Sequence, residues 1–429
     1  EPYGLAGDAA DTVYITELLT AEGRIFGAYG FDVNDGTGYL IHADAVILAA
    51  GGHNRIWRRS SSRRDENTGD SFRLAVQAGA RLRDPELVQF HPSGIIEPES
   101  DAGTLVSEAA RGEGGILTNA LGERFMARYD AKRMELSTRD RVALAAYTEI
   151  REGRGTENGG VWLDVSHLDR EVIMKRLPRV YQTMMELQML DITEQKMEIA
   201  PTAHYSMGGV WVDPLTHATE VPGLYAIGEA SSGLHGANRL GGNSLIELLV
   251  FGRIVGQHAA QYSASLAAQP RSAQAVTAAR THIAELLGSR GQENVRSLQR
   301  AIRDLMTEHA GVVRDEAGLL AGLAKLERIE QRMENVGIHP DIAGYQDLAH
   351  AFDLQSAALA ARATLEAALE RRETRGCHNR SDYPAMDPAL QVNLVWSPST
   401  GITREAIPAV PEQIAELITE VSQEGKLVE

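Results

Sequence analysis

Residues 235–244, with the sequence HGANRLGGNS, run without a break into the apolar segment 245–251, LIELLVF. An apolar run directly after a glycine pair predicts a helix that begins at the end of this loop. The N-terminus of a helix carries unpaired backbone N–H groups, so we expect Asn243 and Ser244 to cap it where it faces an anion. Arg239 adds a planar guanidinium group suited to a carboxylate. The stretch therefore predicts an anion-binding turn between a loop and a helix, although ordinary structural turns share this spacing.

An apolar run near the start of the chain also ends in glycine. Residues 45–48, AVIL, are expected to form a buried strand that leads to Gly51 and Gly52. Such a run suits a nucleotide-binding sheet, in which the backbone must approach a ligand closely. No Gly-x-Gly-x-x-Gly fingerprint occurs in the first hundred residues. The residues that precede the expected strand at 45–48 predict an antiparallel unit. The strands of that unit are expected at 12–19, 24–33 and 38–42.

Length and composition exclude several classes of protein. With 429 residues, of which 43% are hydrophobic, the chain can form two to four domains with a sizeable core. Its net charge of −17 argues against a general nucleic-acid binder, which needs a clustered excess of basic residues. Cys377 is the only cysteine, so an intramolecular disulfide and a thiolate metal cluster are excluded, and a reducing compartment fits best. No apolar run is long enough for a membrane span, so we expect any membrane attachment to come through a partner.

The rest of the chain divides by its periodicity. From 94 to 203, polar loops alternate with a helix expected near Arg139 and another that Ser166 could cap. Beyond about Gln269 the pattern is helical and predicts a bundle, and residues 411–422 predict a short amphipathic helix. The apolar positions of the predicted bundle are Ile302, Leu305 and Met306 in one helix, and Leu319, Leu323, Leu326 and Ile329 in another.

Five ordered motifs resemble one protein family. They are FHPSG at 90–94, SEAARGEGG at 107–115, PTAHYSMGG at 201–209, GLYAIGE at 223–229, and the loop at 235–244. In this order they resemble the flavoprotein subunit of succinate dehydrogenase and fumarate reductase. The match runs from about Asp44 to Arg253, with a weaker echo at 375–383, RGCHNRSDY.

The resemblance implies an α/β FAD-binding domain that is Rossmann-like and incomplete at its N-terminus. It also implies an inserted α+β capping domain and a C-terminal helical bundle domain. The expected divisions are 1–93 and 204–268 for the two parts of the FAD-binding domain, 94–203 for the capping domain, 269–374 for the helical domain and 375–429 for a tail region.

The resemblance also implies which residues bind the substrate, a dicarboxylate whose two ends must be fixed before hydride transfer. Arg239 is expected to clamp a carboxylate, while His91 and His204 donate hydrogen bonds to the substrate carboxylates. Ser107 stands where the family usually has threonine, and it keeps the hydroxyl donor. From the sequence alone, each histidine could equally be a satisfied polar residue near the core.

Proton delivery is implied for Arg139, which matches the proton-donating arginine of the family. Glu108 and Arg111 stand behind it as a relay, which helps because an arginine otherwise stays protonated in proteins. Their spacing of three residues is also consistent with a local surface ion pair of little energetic value.

The resemblance further implies contacts with FAD from the sheet and from the start of the helix after residue 242. Positive potential at that helix start would stabilise the anionic reduced flavin. No metal site is implied. The residues expected to contact FAD are Ala50, Gly51, Gly52, Asp70, Glu229, Asn243, Ser244 and Leu245.

The implied function is an oxidoreductase that interconverts succinate and fumarate by hydride transfer to or from FAD. Electrons would pass to an iron–sulfur subunit, and a membrane anchor subunit would hold the complex at the cytoplasmic face of the cell membrane. L-Aspartate oxidase is the nearest alternative, but it usually lacks the glycine pair, and Gly241–Gly242 and Gly114–Gly115 favour the dehydrogenase.

A catalytically silent fragment is the alternative of another class. In the family, the phosphate-binding fingerprint and a flavin-carrying histidine lie upstream of the position that Glu1 matches. We therefore expect this chain to be part of a longer protein and to retain little FAD by itself.

Overall fold

The computed structural model describes residues 12–340 and 344–410 of the chain. The amphipathic helix predicted at 411–422 lies outside the described residues. Within them, no helix is both long and apolar enough to cross a membrane.

The strands, in chain order, are β1 (Val13–Ala21), β2 (Arg24–Asp32), β3 (Gly38–His42), β4 (Val46–Leu48), β5 (Leu82–Arg83), β6 (Val88–Ile95), β7 (Ile116–Thr118), β8 (Val161–Asp164), β9 (Met197–Ser206), β10 (Gly209–Val210), β11 (Leu224–Ala226), β12 (Val313–Arg314), β13 (Asn379–Arg380), β14 (Val392–Ser397) and β15 (Gly401–Ala406).

The α-helices are α1 (Asp70–Ala78), α2 (Ala109–Gly112), α3 (Met126–Tyr129), α4 (Arg139–Glu149), α5 (Arg170–Arg176), α6 (Pro178–Gln188), α7 (Asn243–Ser265), α8 (Ala273–Gly288), α9 (Val295–His309), α10 (Glu316–Met333) and α11 (Gln346–Glu370).

The first three strands form an antiparallel sheet in the order β1-β2-β3, as the sequence predicted. The predicted strand at 45–48 is also present as β4. It pairs in parallel with β11, and Leu48 lies opposite Ala226 at the end of the pair. Because parallel strands point the same way, the segments that follow β4 and β11 emerge at one edge of the sheet. This edge carries one side of the candidate site.

Residues 95–199 contain a second hydrophobic cluster, separate from the main core. It lies against a four-stranded sheet in the order β6-β9-β8-β7, which α4 covers. Helix α4 begins at Arg139, where the sequence predicted a helix start. The predicted cap by Ser166 is wrong: Ser166 donates both its backbone N–H and its hydroxyl to Asp164, and this local turn delays α5 until Arg170.

The main core joins the first sheet to the long helices of the C-terminal half. Phe31, Phe72 and Phe352 pack together there with apolar side chains of α9 and α10. The apolar positions predicted for those two helices are buried, apart from Leu323, which packs against the core while partly exposed. The architecture is therefore α/β with a separate cluster at 95–199 and a helical C-terminal region, while the exact domain boundaries stay a prediction.

Candidate active site

The edge where β4 and β11 end is built from close backbone contacts. Gly51 has φ +74°, and a Cβ atom added there would lie 1.9 Å from Oδ1 of Asn67. A Cβ atom added at Gly52 would lie 2.4 Å from Oγ of Ser206 and 3.0 Å from Oε1 of Glu229. Side chains are thus excluded at both glycines, and the backbone of 50–52 is held beside the Glu229 carboxyl group.

Glu229 follows β11 in a short 3₁₀ helix (Gly228–Ala230) and is held by three donors. Its Oε1 accepts from the backbone N–H of Ser206 at 2.9 Å and from Nδ2 of Asn54 at 3.0 Å, and its Oε2 accepts from Nδ2 of Asn67 at 3.2 Å. Burial raises the pKa of Glu229 to about 7, despite these hydrogen bonds. The carboxyl group therefore titrates near neutral pH and keeps capacity on Oε2 for a further hydrogen bond.

Helix α7 begins next to this edge, but its cap differs from the prediction. The N-cap residue is Gly242, with φ +85°, and neither Asn243 nor Ser244 forms a capping hydrogen bond. The Ser244 hydroxyl instead accepts a hydrogen bond from Nη1 of Arg239 at 3.1 Å. The left-handed conformation of Gly242 makes the turn into the helix, so Ser244 is free to hold the arginine.

Among the described residues, the groups that contact Arg239 are neutral. Its Nη2 lies 3.2 Å from Oε1 of Gln89 and 3.0 Å from Nε2 of His204, and its guanidinium group lies 4.3 Å from the centre of the Tyr205 ring. Gln89 also donates to the backbone oxygen of Arg239 at 2.8 Å. The buried Nε of Arg239 has no hydrogen-bond partner among the described residues. The arginine is thus fixed in position while its positive charge contacts no carboxylate.

The Tyr205 ring beneath Arg239 is itself anchored. Its hydroxyl donates to Oε2 of Glu247 at 2.9 Å, and the same oxygen lies 2.6 Å from Nε2 of His235. Both Tyr205 and Glu247 are buried, and burial, together with the nearby carboxylates of Glu247 and Glu229, raises the pKa of Tyr205. The ring therefore stays neutral and offers its face to the guanidinium group.

Two histidines lie close together on neighbouring strands, and one of them, His204, contacts Arg239. His204 lies where the pairing of β6 with β9 skips a residue: Gln89 pairs with Tyr205, and the next residue pairs with Ala203. Such a bulge redirects the side chain of the extra residue. The rings of His91 and His204 lie 5.4 Å apart, centre to centre. Burial lowers the pKa of both, with the positive charges of Arg239 and Arg139 adding to the effect, and it lowers that of His204 to about 3.

The hydrogen bonds of these neutral histidines assign different tautomers. Nδ1 of His91 accepts from the backbone N–H of Ser93 at 3.3 Å, so the ring proton of His91 is on Nε2. Nε2 of His204 faces an arginine nitrogen, which can only donate, so the His204 proton is on Nδ1, 2.9 Å from Oγ of Ser61. His91 is therefore ready to donate a hydrogen bond through Nε2, while His204 first has to change its tautomer or leave Arg239.

Three charged residues of the capping region, Arg111, Glu108 and Arg139, form a chain of alternating charges that extends towards Arg239 and the two histidines. Nη2 of Arg111 donates to Oε1 of Glu108 at 3.1 Å, and Arg139 donates to Oε2 through Nε at 2.8 Å and Nη2 at 2.5 Å. Arg111 is buried, whereas the Glu108 side chain is 45% exposed. One carboxylate thus joins two arginines, and its exposure gives the chain a contact with solvent.

This charged chain reaches the loop that carries Arg239. A Cβ atom added at Gly241 would lie 2.9 Å from Nη2 of Arg139, so the guanidinium group of Arg139 lies directly against the backbone of this loop. Asn238 from the same loop donates to Asp140 at 3.0 Å. Both contacts join residues 238–241 to the first turn of α4. The structure therefore brings Arg139 next to the group formed by Arg239, His91 and His204.

Two predicted site residues lie differently from this group. Ser107 is exposed beside Glu108, and its hydroxyl accepts from the backbone N–H of Ala109 at 3.3 Å. Asp70, at the start of α1, accepts hydrogen bonds from Tyr14 at 3.1 Å and from Ser356 at 2.6 Å. None of the hydrogen bonds of Asp70 involves residues 50–52 or Glu229, so its contact with a flavin stays a prediction.

Sequence reasoning did not identify Gln89 or Tyr205. Gln89 lies two residues before His91 on β6, a spacing that places both side chains on one face of a strand and could have indicated it. Tyr205 directly follows His204 within the same motif, but only the tertiary structure shows that its ring lies under Arg239.

Comparison with known proteins places these features in context. A family described as "FAD binding domain" matches residues 7–245, and one described as "Fumarate reductase flavoprotein C-term" matches residues 299–410. One component of the CoM/CoB fumarate reductase of Methanothermobacter marburgensis is 40% identical over 392 residues, which cover 89% of this chain and 69% of that component. The succinate dehydrogenase flavoprotein subunit of Rickettsia bellii is 34% identical over 426 residues, which cover 93% of this chain and 71% of that protein.

The fold is also similar to solved structures. Sdh1 of Mycobacterium smegmatis, solved in complex with UQ1, superimposes with a TM-score of 0.86 at 38% sequence identity. The superposition covers 97% of this chain and 71% of that chain.

Proposed function

Because the chain belongs to the family of succinate dehydrogenase and fumarate reductase flavoprotein subunits, we propose that it interconverts succinate and fumarate with FAD as its cofactor. One observation carries this proposal. An arginine held by neutral groups and an arginine paired with a carboxylate meet beside two neutral histidines, which suits the binding of a dianion and the transfer of one proton.

The residues at the edge of β4 and β11 fit a flavin nucleotide. The backbone at 50–52 has no side chains in the way, Glu229 retains acceptor capacity, and residues 243–245 lie at the start of α7. FAD, when bound there, supplies the two-electron donor and acceptor for the hydride. The proposed contacts are Ala50, Gly51, Gly52, Glu229, Asn243, Ser244 and Leu245, together with Asp70 at the start of α1.

Arg239 would hold one carboxylate of the substrate through its guanidinium fork. His91 would donate a hydrogen bond to a substrate carboxylate through Nε2–H. His204 would also donate one once its proton moves from Nδ1 to Nε2. Ser107 would add a hydroxyl donor if the capping region closes over the substrate. Because both histidines are neutral, Arg239 supplies most of the positive charge that faces the dianion.

Arg139 would deliver a proton to one of the two central carbons of fumarate. It would regain a proton through Glu108, which would take it up from solvent, with Arg111 holding the other carboxylate oxygen. In succinate oxidation the same groups would act in reverse, since both directions share one transition state. The salt bridge to Glu108 compensates much of the Arg139 charge, which suits proton transfer better than tight anion binding.

Electrons are proposed to leave through a separate iron–sulfur subunit, which a membrane anchor subunit would hold at the cytoplasmic face of the cell membrane. The single cysteine of this chain cannot supply the ligands of an iron–sulfur cluster. Co-purification of the natural full-length protein with an iron-containing subunit would test the partner.

The activity itself is tested on the natural full-length protein loaded with FAD. We expect succinate-dependent reduction of an artificial electron acceptor, inhibition by malonate, and no oxidation of L-aspartate. Oxidation of L-aspartate without oxidation of succinate would contradict the proposal and favour the aspartate oxidase. A flavin-loaded protein that oxidises neither compound would favour a catalytically silent protein.

A further inference from the structure

A groove of about 700 Å³ lies between the capping region and the helical C-terminal half, and it is rich in arginine. Ile96, Glu97 and Asn158 line it on one side, and residues of α9 line it on the other. We call it the arginine groove, defined by the six arginines Arg55, Arg58, Arg59, Arg64, Arg300 and Arg303.

The carboxylates in the arginine groove do not balance its positive charge. Glu99 lies 3.4 Å from both Arg58 and Arg300, so two arginines share one exposed carboxylate. Asp304 lies 3.6 Å from Arg58, and Glu97 is the third carboxylate that lines the groove. The groove therefore contains six arginines and three carboxylates, in a chain whose net charge is −17.

Three of the arginines lie close enough to one another for their charges to interact. Within the part of the chain that the structure describes, Arg55, Arg64 and Arg303 form no salt bridge with a carboxylate. Burial together with the positive charges of Arg55 and Arg64 lowers the pKa of Arg303 to about 10, although the charges of Asp65 and Asp353 act in the opposite direction. These three side chains repel one another at a site partly removed from water, and a bound anion would relieve that repulsion.

We propose that the arginine groove binds a compact polyanion that carries two or more phosphate groups. The planar guanidinium forks match phosphate oxygens in pairs, and several forks around one cavity favour several anionic groups over one. The volume is typical of a small-molecule site. Among the described residues, no aromatic side chain lines the groove on which a nucleobase could stack, so the polyanion is recognised through its phosphates.

Binding there would join two parts of the molecule. Arg300 and Arg303 belong to α9, whereas Glu97 and Asn158 belong to the capping region, and the contact of Glu99 with Arg300 already spans the groove. A polyanion would strengthen this bridge. The site is separate from the proposed dicarboxylate site, whose arginines are Arg239 and Arg139, and the inference does not depend on the proposed function.

The test is calorimetric titration of the natural full-length protein with tripolyphosphate, with orthophosphate for comparison. We expect one saturable site per chain and tighter binding of tripolyphosphate. Arg64→Gln and Arg303→Gln should each weaken binding about tenfold. Arg179→Gln, on the exposed surface of α6, is the matched control and should leave the affinity unchanged.

Arg64 is exposed, so its substitution tests the groove even if Arg303→Gln destabilises the fold, which a thermal melt would reveal. Several results would overturn the proposal. They are no saturable binding by the unsubstituted protein, equal binding by the Arg64→Gln and Arg179→Gln variants, or displacement of tripolyphosphate by FAD, which would assign the groove to the flavin pyrophosphate. Binding of an acidic peptide in place of tripolyphosphate would likewise contradict a small-molecule site.

Discussion

Arg239 and Arg139 are near enough for their charges to interact, yet their surroundings differ in charge. Arg239 contacts an amide, a hydroxyl, a neutral imidazole and an aromatic ring. Arg139 instead donates two hydrogen bonds to one oxygen of the Glu108 carboxylate. Among the described residues, no carboxylate contacts the first arginine directly, whereas the second is paired with a carboxylate.

This difference separates two chemical tasks that arginine can perform. An uncompensated guanidinium group in a partly buried site attracts an anion strongly, because little water is there to screen it. A guanidinium group paired with a carboxylate attracts anions weakly but has a route by which a lost proton returns. The partners, rather than the residue type, assign binding to one arginine and proton transfer to the other.

The largest effect is expected for Arg139→Gln in the flavin-loaded, full-length protein. Turnover should fall by about 10²- to 10⁴-fold, the usual contribution of general acid catalysis, while the affinity for malonate changes little. Steady-state kinetics and malonate titration measure the two quantities. Arg141→Gln is the control, since Arg141 is exposed and pairs with Asp130 instead of Glu108. Equal losses of turnover and malonate affinity would remove the distinction between the two arginines.

Arg239→Met should have the opposite profile. We expect malonate binding to weaken by about 2–5 kcal/mol, because the uncompensated charge that faces the dianion is lost. Direct titration of malonate measures this change. Arg253→Met is the control. Arg253 is exposed on α7, the helix that follows the loop carrying Arg239, and this variant should bind malonate normally. Unchanged malonate binding by Arg239→Met would show that Arg239 does not clamp the substrate.

Gln89→Leu tests whether the neutral partners of Arg239 act only by holding its guanidinium group in position. Loss of the amide removes two hydrogen bonds to Arg239 and should weaken substrate binding by about 1–2 kcal/mol. KM should rise while kcat stays nearly constant, because proton delivery from Arg139 does not involve Gln89. A fall in kcat without a change in KM would place Gln89 in the chemical step instead.

The smallest expected effect concerns acid stability. In the unfolded chain His204 binds a proton below its ordinary pKa of about 6.5, whereas in the folded protein its pKa is lowered to about 3. Unfolding is therefore favoured as the pH falls through this window, by about 1.4 kcal/mol per pH unit for one histidine. His204→Gln should flatten the decline of unfolding free energy between pH 6 and pH 4, within the window set by the cited shift.

Denaturant unfolding at several pH values measures this slope. His167→Gln, at an exposed position, should leave the slope as it is. An unchanged slope for His204→Gln would show that His204 becomes protonated in the folded protein. That result would also change the comparison, since a charged His204 would share the binding of the dianion with Arg239.

The sequence by itself determined the order of the motifs and several local structures. The apolar runs at 45–48 and 245–251 became β4 and part of α7, and the helix start at Arg139 was correct, because these features depend on local periodicity. The five motifs also identified the family. The caps assigned to Ser166 and Ser244 were wrong, because each hydroxyl found a different partner, Asp164 in one case and Arg239 in the other.

Only the tertiary structure decided which charges meet. Gln89 and Arg239 are 150 residues apart, and Arg64 and Arg303 are separated by an even longer stretch of chain, yet each pair shares one site. The composition indicated an acidic protein, although five arginines lie close together at 55–64. The arginine groove forms where this segment packs against Arg300 and Arg303 of α9. Periodicity specifies which face of an element is buried, but the electrostatic environment of a charged group depends on the neighbours that folding brings to it.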